Sequence, residues 1–112
     1  MGDDSNRAKV AVAFRERKTG KIIRGELWEQ HADTRKRLDL GERTAGWLED
    51  GFVDLVTGDF LSRGQAARKW PEEAGRARGF GVADSSDFEC IREAKLRRLI
   101  ERSKQHGGSE NA

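Results

Sequence analysis

Cysteine is nearly absent from this chain: Cys90 stands alone among 112 residues. A single thiol excludes an internal disulfide framework and fits a reducing compartment. Histidine is almost as scarce, with His31 and His106 only. One Cys and two His, the second in a polar tail, cannot supply the ligand count and spacing of a zinc site. No apolar run is long enough to span a membrane. The first residues, with Asp3 and Asp4, lack the basic-then-apolar layout of a signal peptide. No glycine loop leads into Lys-Ser/Thr, and there is no dinucleotide fingerprint. Neither sign of charge dominates: 22 Lys and Arg against 20 Asp and Glu leave a net charge of +2, so the chain as a whole carries no polyanion-binding signature. These absences predict a soluble cytoplasmic protein with no cofactor, no metal and no membrane association.

Charged residues make up 38% of the chain and apolar ones 35%, so much of the surface must be charged. Three Trp and five Phe still supply large anchors for a core. The length suits one domain of modest core size. The composition places it over residues 8–105, with polar, loose ends at 1–7 and 106–112.

Val10, Val12 and Phe14 alternate with Ala11 and Ala13, which predicts a strand with Val and Phe on one face. Thr19-Gly20 turns the chain, with Gly20 left-handed, and Ile22-Ile23 returns it. The register stays open, because a slip of one residue exchanges Ile22 and Ile23 across the sheet. From Leu27 to Leu40 the period becomes helical, with Leu27, His31, Thr34, Arg35 and Leu38 on one face and Gly41 as a stop. Residues 42–50 read as a short helical turn carrying Trp47 and Leu48. The most specific stretch follows: Phe52-Val53, a Thr57-Gly58 turn, Phe60-Leu61, then a helix opened by Ser62 with Gln65 three residues on and running to Trp70. Thr57-Gly58 echoes Thr19-Gly20, and recurrent hairpin chemistry explains the echo better than duplication. Pro71 suits the first turn of a new helical segment. Arg78-Gly79-Phe80-Gly81-Val82 is too rich in glycine for a strand. Ser86, with Glu89 three residues on, caps a long helix reaching Lys104. The fold expected is α+β: an antiparallel sheet of about four strands, helices packed on one side, and a long C-terminal helix. Val10, Val12, Phe14, one of Ile22 and Ile23, Phe52, Val53, Phe60, Leu61, Leu96 and Leu99 should be buried.

No catalytic set is recognisable. His31 is the one His within the folded span, and it falls on the apolar side of its helix, where a hydrogen-bonded structural role is the simpler reading. A small hydrolase or nucleotide-sequestering protein centred on His31 is the enzymatic alternative. Cys90, in the first turn of the last helix, has no partner that would activate it and reads as a packed thiol. Charge is uneven. Residues 41–60 hold Glu42, Glu49, Asp50, Asp54 and Asp59 against Arg43 alone, beside Trp47. A compact acidic patch with an aromatic anchor would suit a basic groove, so Trp47, Glu49, Asp50, Asp54 and Asp59 are the first candidate partner-binding set. On that reading, reversing Asp50 and Asp54 to Lys leaves the melting temperature unchanged and abolishes binding. The second set is basic: Arg35, Lys36 and Arg37, with Arg97, Arg98 and Arg102 on the last helix. It suits nucleic acid, although no aromatic residues interleave with it. The plainer alternative is a solvated helix laced with pairs such as Glu93–Arg97.

Ile23, Gly25, Gly51, Phe52, Val53, Gly58, Phe60, Leu61, Arg63, Ala66 and Ala67 together form a pattern. The segment Ile22 to Ala67 resembles small uncharacterised proteins carried by phages and prophages. It departs from their pattern at Gly64-Gln65, where they carry an acidic residue. The resemblance implies a mobile-element protein acting in a bacterial cytoplasm. By analogy with anti-CRISPR inhibitors, it implies a non-enzymatic protein that blocks a host protein or nucleoprotein complex by contact. A nucleic-acid-binding accessory protein is the alternative of a different class.

Overall fold

The computed structural model describes residues 7–41, 46–75 and 81–111. Residues 42–45 of the segment read as a helical turn, Glu42 and Arg43 among them, Arg78-Gly79-Phe80, and the ends at 1–6 and 112 lie outside the described residues.

The fold is α+β. β1 (Val10–Glu16), β2 (Ile22–Arg24), β3 (Leu48–Asp54) and β4 (Phe60–Ser62) form one antiparallel sheet in the order β2-β1-β3-β4. Among the described residues three helices join it: α1 (His31–Arg37), α2 (Arg63–Lys69) and the long α3 (Glu89–Asn111). Five residues of π-helix, Pro71–Gly75, and a 3-10 turn, Ser85–Asp87, link α2 to α3. Both hairpin turns use the same chemistry. Gly20 and Gly58 take φ of 80° and 84°, where glycine bears no steric penalty. In each turn the Thr hydroxyl before the glycine accepts the amide of the residue after it, at 3.2 Å.

Alternation along β1 assigns the two faces. Val12 opposes Phe52, and Phe52 opposes Leu61, so all three point to the helical side. Phe14 opposes Ile23, which settles the register: Ile23 is half-buried and Ile22 is exposed. The core joins Val10, Val12 and Phe52 to Ala66 and Ala67 of α2, then to Ala74, Ala83, Phe88 and Ile91. The alanines let the helix lie close to the sheet. A ladder of edge-to-face rings crosses this core, Phe14–His31–Phe52–Phe88–Trp70, with centroid spacings of 5.4, 5.1, 4.9 and 5.8 Å.

The other face of the sheet is closed by its own side chains. Arg15 opposes Glu49 and bonds it through Nε at 3.1 Å, and its guanidinium lies 4.7 Å over the Phe60 ring. Phe60 in turn lies across Gly51, where a Cβ would stand 2.5 Å from the ring and 2.3 Å from the Leu61 carbonyl oxygen. That carbonyl belongs to the paired strand and cannot retreat without loss of register. Gly51→Ala should therefore cost about 2 kcal/mol, roughly 8 °C in Tm. Gly46→Ala, which meets nothing within 4 Å, should move Tm by less than about 2 °C. Equal melting of the two variants would refute this packing.

Several local expectations are corrected. α1 is shorter than Leu27 to Leu40. Gln30 and Asp33 form its capping box, Leu38 its C-cap, and Asp39 rather than a glycine follows at φ 52°. His31 and Thr34 are buried as the periodicity requires, but Leu27 and Leu38 are exposed. Leu48 to Asp50 are strand, not helical turn, because they pair with Glu16, Arg15 and Phe14. Ser86 does not cap α3. Asp84 and Asp87 form the box of the 3-10 turn that precedes it. Asp84 Oδ2 takes up the Ser86 hydroxyl at 2.6 Å. α3 continues beyond Lys104. Leu96 and Leu99 are 58% and 53% exposed, because they lie on the side of α3 turned away from the body that Ile91, Lys95 and Arg98 contact. Val53, Phe60 and Leu61 are half-buried.

Candidate functional site

A shallow cleft of about 370 Å³ opens where α1, β3, α2 and the Ala83–Ser85 segment meet, lined by Gln30, His31, Ala32, Arg35, Asp50, Arg63, Asp84 and Ser85. His31 is its floor. As the first residue of α1, it is turned under the helix against Phe14 and Phe52. Its Nε2 is 2.8 Å from the Gly51 carbonyl oxygen and its Nδ1 is 3.2 Å from Arg63 Nη2. A carbonyl only accepts and a guanidinium only donates, so Nε2 carries the proton and Nδ1 is the acceptor. Burial, then the charge of Arg63, lower its pKa from 6.5 to about 4. The imidazole is neutral and both nitrogens are occupied.

Arg63 is placed by the Ser62 cap at the first position of α2. It reaches four ways: to His31, to Asp50 Oδ2 at 3.4 Å, to the Ala83 carbonyl at 3.0 Å, and to Asp84 Oδ1 at 3.5 Å. The Ala83 amide returns a bond of 2.9 Å to the Arg63 carbonyl. Arg35 donates to Asp50 Oδ1 at 2.9 Å while lying 4.9 Å over the Phe14 ring. The two guanidinium groups thus share one carboxylate. Beside the cleft, Glu29 is fully buried. It accepts from Arg37 through both oxygens, from the Thr34 hydroxyl and from the Glu26 amide. Arg37 holds the Glu29 carboxyl below the usual carboxylate range, outweighing its burial.

The structure does not gather the acidic set into one patch. β3 separates Trp47, before its first residue, from Asp54 at its end, a span of roughly 23 Å. Alternation sends Glu49 and Asp50 to opposite faces, where Glu49 pairs with Arg15 and Asp50 with Arg35 and Arg63. Asp54 is 3% exposed and bonded to Lys69. Trp47 and Asp59 are exposed. The basic set divides as well. Arg35 and Arg37 are tied to Asp50 and Glu29, and Arg98 lies 4.3 Å over the Trp28 ring. Lys36, Arg97 and Arg102 carry no ion pair among the described residues, and the Glu93–Arg97 pair does not form.

Arg63, Asp84 and Glu29 were not among the candidates. Arg63 had a signal, since it belongs to the motif that carries the resemblance. Gly51, Phe52 and Arg63 of that motif meet His31, while Leu61, Ala66 and Ala67 pack with Phe52 in the core. Cys90 is half-buried. Burial raises its pKa, and its Sγ is 3.6 Å from the Val10 carbonyl oxygen, so the thiol is a weak nucleophile. Among the described residues no three metal-ligating side chains converge, and no helix is long and apolar enough to cross a membrane.

Compared with protein-family models, with curated proteins and with solved structures, the chain matches none.

Proposed function

We propose that this chain is a non-enzymatic binding protein of a mobile element that inhibits a host protein or nucleoprotein complex by contact, in the anti-CRISPR-like manner its central motif suggests, within a bacterial cytoplasm. One observation supports the reading above others. His31, the one side chain in the cleft suited to proton transfer near neutral pH, spends Nε2 on Gly51 and Nδ1 on Arg63. The cleft is a brace between α1, β3 and α2, and binding falls to the outer surfaces.

The test compares the chain with a His31→Gln variant. Both are assayed for turnover on ester and nucleotide substrates. Both are then titrated against the complex captured from a bacterial lysate. The binding reading expects turnover from neither, and Kd values within a factor of about 3. Turnover by the native chain that His31→Gln abolishes would put the hydrolase in its place.

The nucleic-acid reading draws on one observation of its own: Lys36, Arg97 and Arg102 remain unpaired among the described residues while Glu49, Asp50 and Asp54 are taken up by the fold. It requires an affinity for DNA or RNA that falls steeply with salt and is lost in Arg97→Ala/Arg98→Ala.

A further inference from the structure

α3 is built for two sides and uses one. At about 100° per residue, Ile91, Ala94 and Arg98 turn toward the body. There Ile91 is buried and Arg98 stacks on Trp28. Lys95 ties the helix to Gln30 Oε1 and Asp33 Oδ2, at 3.0 and 3.2 Å. Leu96, Leu99 and Ile100 sit at i, i+3 and i+4 within a wedge of roughly 100° on the far side. All three are exposed, at 58%, 53% and 46%. A groove beside Leu96 and Leu99, bounded by Gln30, Ile91, Arg92 and Lys95, extends this stripe toward the body.

Charge decides what can cover it. Arg97 and Lys104 border the stripe on one side and Arg102 on the other, Arg92 lies in line with it one turn before Leu96, and Glu93 and Glu101 are the acidic residues among them. Arg97, Arg102 and Lys104 make no ion pair among the described residues. A second copy would bring the same excess of positive charge against itself. Nucleic acid would leave three aliphatic side chains facing phosphates, with no aromatic ring among them for a base to stack on. We propose that α3 is the contact surface of this protein and that its occupant is an acidic amphipathic helix of a partner protein. The proposal rests on the binding reading above. The partner's apolar stripe covers Leu96, Leu99 and Ile100, and its flanking carboxylates meet Arg97, Arg102 and Lys104.

The test uses a synthetic helical peptide of about 20 residues, with Leu at every third or fourth position and Glu elsewhere, and a scrambled control. Fluorescence anisotropy against the full chain should show saturable binding of the patterned peptide only. Leu96→Asp/Leu99→Asp should weaken it at least about 10-fold, and Arg97→Glu/Arg102→Glu about as much. Both variants should melt like the native chain, since the altered side chains are exposed. Equal binding of the scrambled peptide, no binding of either peptide, or indifference to the Leu changes overturns the proposal. Binding of duplex DNA that ignores the Leu changes assigns α3 to nucleic acid. A dimer in sedimentation that Leu96→Asp/Leu99→Asp dissolves assigns it to a second copy. Capture from a lysate separates the two levels. A partner held equally by native and Leu96→Asp/Leu99→Asp chains keeps the binding reading and removes α3 as its surface, whereas no specific partner for either removes the reading itself.

Discussion

Asp54→Lys should leave the domain with little or no stability. Asp54 is 3% exposed, and its carboxylate has three partners inside the fold. Oδ1 accepts the amides of Val56 and Thr57 at 2.9 and 3.3 Å, which shapes the turn between β3 and β4, and Oδ2 is bonded to Lys69 of α2. Burial pushes the carboxyl pKa up, but Lys69 and the two amides together more than offset it, so the group titrates below its ordinary value. A Lys here sets one ammonium against another and strips two amides of their acceptor. With Lys69 42% exposed, the lost pair costs less than the ~3–5 kcal/mol of a fully buried one. Each orphaned amide adds about 1 kcal/mol, and the buried, unpaired ammonium several more. The total approaches the whole stability of a small domain, about 5–15 kcal/mol. Asp54→Asn keeps an acceptor for the turn and should lose about half as much. Urea denaturation followed by Trp fluorescence measures both. Asp50→Lys, at a half-exposed position, should be milder. The sequence-based expectation that reversing Asp50 and Asp54 spares the melting temperature therefore fails on burial, and partner binding by that double variant would report folding. A melting point for Asp54→Lys within about 2 °C of native would overturn this account.

The difference between Asp54 as a surface charge and Asp54 as a buried tie shows where sequence reading stops. Local chemistry was legible. The Val10-Val12-Phe14 alternation, the two Thr-Gly turns, and the Ser62–Gln65 box all depend on residues within a few positions of one another. Each is found as expected. Long-range pairing was not legible. Leu48 to Asp50 lie in a strand because β1 offers them a partner 32 to 36 residues earlier, and that partner overrides a helical reading. Glu29 reads as an ordinary surface carboxylate until Arg37 and Thr34 close over it. The His31 node draws on positions 31, 50, 51, 63 and 84, which no spacing rule connects. Leu96 and Leu99 have the spacing of a core face. That face turns away from the body while Lys95 and Arg98 meet it, and periodicity does not report which face of a helix is covered.

Stability should rise by roughly 3 kcal/mol as pH increases from about 4 to 6.5, with His31 as the cause. Burial, then the charge of Arg63, lower its pKa to about 4 in the folded chain, against 6.5 when unfolded. Between those values the unfolded chain binds the extra proton, so lowering the pH favours unfolding. The contribution is complete above pH 6.5, and roughly 2 kcal/mol of it is gone by pH 5. The other groups facing the ring sharpen the effect. Protonated Nδ1 no longer accepts from Arg63 and meets its positive charge directly, while Asp50 and Asp84 lie close enough to offset only part of that repulsion. The depressed carboxyls of Glu29 and Asp54 contribute stability that is lost only as pH falls below the ordinary carboxylate range. The interval from pH 7.5 to 5 therefore isolates the imidazole. Urea midpoints across it should fall for the native chain and stay nearly level for His31→Gln, so that the gap between the two narrows by about 2 kcal/mol. Parallel curves would mean that His31 is not buried as a neutral brace. The cleft would then have a titratable, available imidazole, and the hydrolase reading would regain its catalytic group.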